Sequence, residues 1–488
     1  MTKVVIKFSK KRIAAVFTVL IIIFIFGHNP SAALNAELLP PPSEKTRAEY
    51  KLTILPANRT VFIEATIRGA EKSEIKSWVA GVGGLNAQIL SSNAGEIKFA
   101  YTVAVPEKER LNSPDAYLDK NRFRAWGWNI FIFPLLDKPS GEVALTIDAP
   151  EEWSGRATSF GVNHKRFVLP NLNALLDMAV AAGDFRTSEF SAGGVPVYLA
   201  VRKEHAVSDE VFKEALKRLI EAGARYTGAK LPERVFFAVD LLGERKTYAP
   251  GNHVRGGAHG STIMIDRDNA DPRQPQFWGT YSHEFTHTWI PAVFGNSALT
   301  QKELGSFFTE GFTDYLAYRI THSAGIHTDD QFARALSKFY LEYADVAGSV
   351  ENEQDAEFLR YRQGMMAAWM LDVELLRRSK GKRGFREFIR LLVGKYENSG
   401  GLTKEKFISA LTELGGKETA ALFEKLRDAE KKIDFSAILK DTGIKIEPVQ
   451  NAREALKIFN AGKIQPVTFE PATRGQKMFL RWFLSREN

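Results

Sequence analysis

Hydrophobic and polar positions alternate along the first third of the chain. The runs Tyr50-Lys-Leu-Thr-Ile-Leu55, Thr60-Val-Phe-Ile-Glu-Ala-Thr-Ile67, Ile97-Lys-Phe-Ala-Tyr-Thr-Val-Ala-Val105 and Val143-Ala-Leu-Thr-Ile147 are short and β-branched or alternating. Gly, Pro and Asn break them, a pattern that predicts an antiparallel β-sandwich domain over 50–155. From 156 to 275 the period changes. Val197–Val201 and Arg234–Val239 read as strands on either side of a helix capped by Ser208 and running to about Thr227, and Thr262–Ile265 is a last short strand. This is an α/β segment. Beyond it, over 276–450, nearly every apolar position follows the helical period, and the stretch from Gly364 to Leu376 is so apolar that it has to be buried. The chain therefore reads as an α+β multidomain protein: a β domain, an α/β part and a mostly helical C-terminal region. The tail over 451–488 is basic and aromatic near its end and is expected to pack as an irregular cap or to stay mobile. No period of 20 to 50 residues recurs, so a solenoid or propeller is excluded.

The N-terminus is different in kind. A basic start to Arg12, an apolar run from Ile13 to Phe26 and the small residues Ser31-Ala32-Ala33 after Pro30 read over 1–33 as an export signal, with a membrane anchor through 13–26 as the alternative. The run of 14 residues is shorter than the roughly 20 that span a bilayer, which favours the signal. A Pro-rich linker follows over 34–49, and ordered chain is expected from about Tyr50. Export places the mature protein in the periplasm, outside the cell or facing outward on a membrane. The absence of Cys suits that oxidising setting, and it excludes disulfides, thiolate metal sites and a cysteine nucleophile. The formal charge of +8 does not indicate a nucleic-acid partner, because Lys3, Lys7, Lys10, Lys11 and Arg12 carry five of those charges within the leader.

Chemistry is concentrated in Thr280-Tyr-Ser-His283-Glu284-Phe-Thr-His287-Thr-Trp289. On a helix, residues four apart stand one above the other, so His283 and His287 can offer two imidazoles to a single point, with Glu284 beside them. That arrangement suits a catalytic zinc and a carboxylate base. Downstream, Ser306-Phe-Phe-Thr-Glu310-Gly-Phe-Thr-Asp314-Tyr reads as a second helix with Glu310 and Asp314 on one face. Glu310 would complete a His₂Glu set for one zinc ion per chain, and Asp314 can reach the free ring nitrogen of a ligand His. A charge among Phe307, Phe308, Phe312 and Tyr315 needs such a partner.

The combination of H-E-x-x-H with a downstream E-G-F resembles the gluzincin zinc metallopeptidases, and within them the glycyl-aminopeptidase-like family related to aminopeptidase N and thermolysin. The resemblance runs from the β domain to the helical region. It implies a thermolysin-like catalytic domain and hydrolysis of peptide bonds in a peptide or protein substrate, most simply from the amino terminus. It also implies that Tyr361, in Tyr361-Arg-Gln-Gly364, donates a hydrogen bond to the oxyanion. Arg255-Gly256-Gly257-Ala258-His259-Gly260-Ser261 lies where the family carries a substrate-pairing edge with a Glu for the substrate amine. Here Gly256, Gly257 and His259 would contact substrate, but no Glu follows them. The 22 residues between His287 and Glu310 are slightly more than in the relatives, and the tail is too short for the C-terminal domain many of them carry. Three activities stay open: aminopeptidase, endopeptidase, or a zinc-containing envelope protein that binds peptide without turnover. The sequence sets no oligomeric state.

Overall fold

The computed structural model describes residues 46–70, 72–80, 88–93, 95–105, 116–136, 140–241, 251–256, 260–267, 272–290, 305–347, 349–396, 402–428 and 433–486. The export signal and most of the linker therefore lie outside the described residues. The last four linker positions do not: Thr46–Leu55 is one strand whose side chains alternate buried and exposed almost throughout.

The N-terminal unit is built of two main sheets. A six-stranded sheet runs in the order Arg166–Leu169, Ser140–Asp148, Thr46–Leu55, Thr60–Arg68, Glu96–Ala104, Gln88–Asn93, and it is antiparallel except where Thr46–Leu55 meets Ser140–Asp148. A five-stranded sheet faces it, in the order Gly161–Val162, Gly155–Thr158, Ala179–Gly183, Arg122–Trp126, Tyr117–Leu118. Tyr50, Leu52, Ile63 and Phe99 from the first sheet meet Phe123, Val180 and Ala182 from the second. The β unit thus runs to Gly183, and the expected boundary at 155 falls inside it. Its last strand is Ala179-Val-Ala-Ala-Gly183, which lacks the usual β-branched pattern for a packing reason. Val180 and Ala182 face the sandwich core, whereas Ala179 and Ala181 press, with Trp126, against Ala200, Phe236 and Ala238 of the next sheet. Both faces are covered, so small residues replace a polar face.

That next sheet has the order Phe185–Ala192, Val195–Arg202, Val235–Leu241, Gly260–Arg267, Gly251–Gly256, with its three central strands parallel and both edges antiparallel. The crossover helix Asp209–Thr227 begins where the Ser208 side chain accepts from the Val211 amide, and it ends at left-handed Gly228 (φ 69°). At the seam between the two units, buried Asp240 accepts from Arg122 Nη1 at 2.5 Å, with Arg124 Nε at 3.3 Å and Arg202 Nε at 3.7 Å. Removing Asp240 would take a shared buried anion from three guanidinium groups, of which Arg122 and Arg202 keep Asp119 and Glu204, so it ties the units together more by penalty than by net attraction.

Helix Pro275–Thr286 starts with Pro275 in its first turn, where a missing N–H costs nothing, and packs Tyr281 and Phe285 onto Phe237 of the sheet. It is followed by helices Thr313–Ser323, Asp329–Ala347 and Glu353–Ser379, and Gly364–Leu376 is buried throughout, as its composition requires. The tail corrects the expectation of an irregular cap. Val467–Phe469 pairs with Ile444–Ile446, and Arg474–Phe483 is a helix with a capping box between Thr473 and Gln476. Phe479, Leu480 and Phe483 sit in the main core, so the basic residues form only the outer face. Among the described residues no helix is long and apolar enough to cross a membrane.

Candidate metal and catalytic site

The helix Pro275–Thr286 ends where the candidate metal ligands lie. His283 lies in its last turn and His287 just past its end, where the chain turns through Thr288 and Trp289 to Ile290. The His287 Nδ1 hydrogen-bonds the Ile290 carbonyl at 2.9 Å, and the His283 Nδ1 hydrogen-bonds Asp314 Oδ1 at 2.8 Å. With both Nδ1 atoms engaged, both Nε2 atoms turn to a common centre, 3.1 Å apart. Glu310 Oε2 is 3.2 Å from His283 Nε2 and 3.6 Å from His287 Nε2. Two ligands at about 2.05 Å in tetrahedral array are separated by about 3.3 Å, so these three atoms have the spacing of a zinc set with one position left open. Among the described residues this is the one such group of three His, Cys, Asp or Glu.

Glu310 arrives on an irregular element. Phe307–Phe312 is a π-helical turn that passes directly into helix Thr313–Ser323, which puts Asp314 one turn beyond Glu310 on the same side. The π turn is pressed against helix Glu353–Ser379 through two glycines. A Cβ on Gly311 would lie 2.5 Å from the Tyr361 carbonyl oxygen, and one on Gly364 would lie 1.8 Å from that of Phe307. The glycines of both motifs are therefore a helix crossing. The same crossing carries Tyr361 to the site, its ring centroid 6.4 Å from that of His283 and its phenol bonded to Asp314. Ser282 Oγ donates to the Ala317 carbonyl at 2.8 Å and fixes the first ligand helix to the second.

Glu284 is only 5% exposed and has no place in the ligand set. Burial pushes its carboxyl above the usual range, an effect that His283 and His287 partly offset. The two imidazoles are held above their ordinary value. Burial opposes this, but Asp314 and Glu310 outweigh it at His283, as Glu310 does at His287. Burial also opposes ionisation of Glu310, yet the imidazoles keep its carboxyl well below the usual range. Metal binding must displace the imidazole protons. Zinc affinity is therefore expected to fall as pH drops through the raised imidazole range and to level off above it, checked by chelator competition across pH; affinity independent of pH would contradict this charge arrangement.

The structure brings together His283, Glu284, His287, Glu310, Asp314 and Tyr361. It places Gly256 at the end of the edge strand Gly251–Gly256, opposite Gly260, while Gly257 and His259 lie outside the described residues. The edge strand packs on the ligand helix and also on the short helix Asn173–Asp177. Sequence reading missed Asp177. Burial alone pushes its carboxyl up to about 6, and it has no ion pair among the described residues. Nothing in Asn173-Ala-Leu-Leu-Asp177 marks it, because its place beside the edge strand depends on chain some 75 residues away. Arg362 and Glu342 were missed as well. For Arg362 there was a signal, a cation at the entrance to an apolar buried stretch.

Residues 276–369 match the M61 glycyl aminopeptidase family. In fold the chain is similar to an aminopeptidase N family protein from Idiomarina loihiensis (TM-score 0.64, 18% identity, covering 82% of this chain and 79% of that one). It is also similar to an M1 zinc metallopeptidase from Deinococcus radiodurans (TM-score 0.50, 14% identity, 80% and 96%). A substituted form of the latter, described as bound to a Tyr-Ser-Ala substrate, matches equally well (TM-score 0.50, 14% identity, 80% and 96%). No curated protein matches in sequence. The matched segment and the fold bear out the resemblance carried by the motifs, to the glycyl-aminopeptidase-like gluzincin metallopeptidases.

Proposed function

We propose that the protein is a zinc-dependent peptidase, exported as its leader suggests, that acts on the amino terminus of peptides. One observation carries the reading: three donor atoms at zinc spacing with a buried carboxylate beside them that is not a ligand. A zinc ion held by His283, His287 and Glu310 would polarise the scissile carbonyl and acidify a water. Glu284 takes the proton of the attacking water on its carboxylate and delivers it to the leaving amine, a role suited to a base whose affinity for protons burial has raised. Tyr361 turns its phenol from Asp314 toward the carbonyl oxygen as negative charge develops there. A binding protein without turnover has no use for such a base.

The choice of the amino terminus rests on Asp177, a carboxylate with no ion pair among the described residues, on a helix that packs against the edge strand Gly251–Gly256. It would receive the substrate ammonium in place of the missing family Glu. The rival is an endopeptidase, favoured by that missing Glu. Chelator-sensitive cleavage of short peptides, compared with the same peptides N-acetylated, separates the two. The expected result is a strong preference for free amines that shrinks in Asp177→Asn; equal cleavage of both sets would establish the endopeptidase, and no chelator-sensitive cleavage of either would end the peptidase reading.

A further inference from the structure

Behind His283 the site continues as a chain of alternating charge. Asp314 binds the His283 Nδ1 through Oδ1, and its other oxygen, Oδ2, accepts from Arg362 Nη1 at 2.7 Å. Arg362 Nε lies 2.8 Å from Glu342 Oε2, and Lys338 stands 3.7 Å from the other oxygen of Glu342. The Asp314 and Arg362 side chains are 7% and 11% exposed, so their charges are poorly screened. The guanidinium is also walled by aromatic rings: its Cζ is 4.3 Å from the ring centroid of Tyr361, 4.8 Å from Phe358 and 5.0 Å from Phe339.

Each contact has a consequence for the ligands. A neutral His283 that gives Nε2 to a metal must keep its proton on Nδ1, and that proton needs an ionised Asp314 to receive it. Arg362 Nη1 donates to the second oxygen of Asp314 and so holds that carboxylate turned toward His283 Nδ1. Glu342 in turn compensates Arg362. The guanidinium plane also lies on the phenol ring of the adjacent Tyr361 and narrows the orientations open to it.

We infer that Arg362 is a positioning residue that sets both the metal affinity of His283 and the orientation of Tyr361, a role resting on the zinc-peptidase reading above. A lysine could supply the charge but not the planar fork that bridges Asp314 and Glu342. A methionine would keep much of the apolar stem and lose the charge.

The test measures zinc affinity by competition with a chromophoric chelator, together with kcat and KM at saturating zinc, in Arg362→Met and Arg362→Lys. For the Met variant the zinc Kd is expected to rise roughly tenfold to a hundredfold, and kcat to fall with KM little changed. The Lys variant should recover part of both. A residue that served only stability would lower the melting temperature and leave the Kd and the kinetic split alone. If Arg362→Met does not fold, Arg362→Lys decides: wild-type zinc affinity in either folded variant overturns the inference. A wild-type protein that takes up no zinc would overturn the zinc reading itself and this role with it.

Discussion

Replacing Glu284 with Gln is expected to leave a folded protein that holds zinc but hydrolyses peptides at least about a thousandfold more slowly. The candidate ligand atoms are those of His283, His287 and Glu310, and none comes from Glu284, so the metal should stay. What is lost is a proton acceptor. A carboxamide has nearly the same shape as the carboxylate and can still accept a hydrogen bond from a water, but it cannot take the proton. A factor of a thousand corresponds to about 4 kcal/mol of transition-state stabilisation, within reach of one general base that also returns its proton to the leaving group. Stability should hold or rise, because burial already disfavours the charged form of Glu284 and the amide removes that charge. Zinc content, melting temperature and kcat measured together make the case. Wild-type turnover in this variant would remove Glu284 from the mechanism.

A second large effect is expected at a residue that supplies no donor atom. Gly364→Ala adds one methyl group at a place where its nearest neighbours would be the Phe307 carbonyl oxygen at 1.8 Å, carbon at 2.6 Å and Cα at 2.9 Å. All three are backbone, so no side chain can swing away. The two helices would have to separate, taking Glu310 and Tyr361 with them. The cost should be about 3 kcal/mol or more, and the zinc Kd should rise because the third ligand is displaced. Gly394→Ala is the control. That glycine lies within helix Phe385–Tyr396 with nothing near its would-be Cβ, so the same exchange should be neutral or stabilising by up to about 1 kcal/mol. Wild-type melting and zinc affinity in Gly364→Ala would show that the crossing is looser than the structure has it.

The candidate metal site was legible because its geometry is local. His283, Glu284 and His287 stand within one turn, and Glu310 and Asp314 repeat that spacing on the second element, so helical periodicity alone brings each set to one side. What escaped was non-local. Glu342, 20 residues before Arg362, looks like any charged helix position until the fold sets the two side by side. The β unit ran past its expected end because alanines that fill an interface on both faces do not look like a strand. The tail was misjudged from composition, although Thr473 and Gln476 spelled a helix start within it. The motif glycines were read as substrate contacts or as family markers. Gly311 and Gly364 matter instead for the absence of a side chain between two helices.

The docking of the tail also bears on the helix that carries Asp314. Arg319 is on the same helix as Asp314, and its guanidinium donates to the Phe483 carbonyl at 2.6 Å across 164 residues of sequence. The helix that steadies the ligand His283 is thus gripped at its far end by residues translated long after it. Loss of the tail helix is therefore expected to withdraw a support from the element that carries Asp314, read as a lower melting temperature in a chain cut before Arg474.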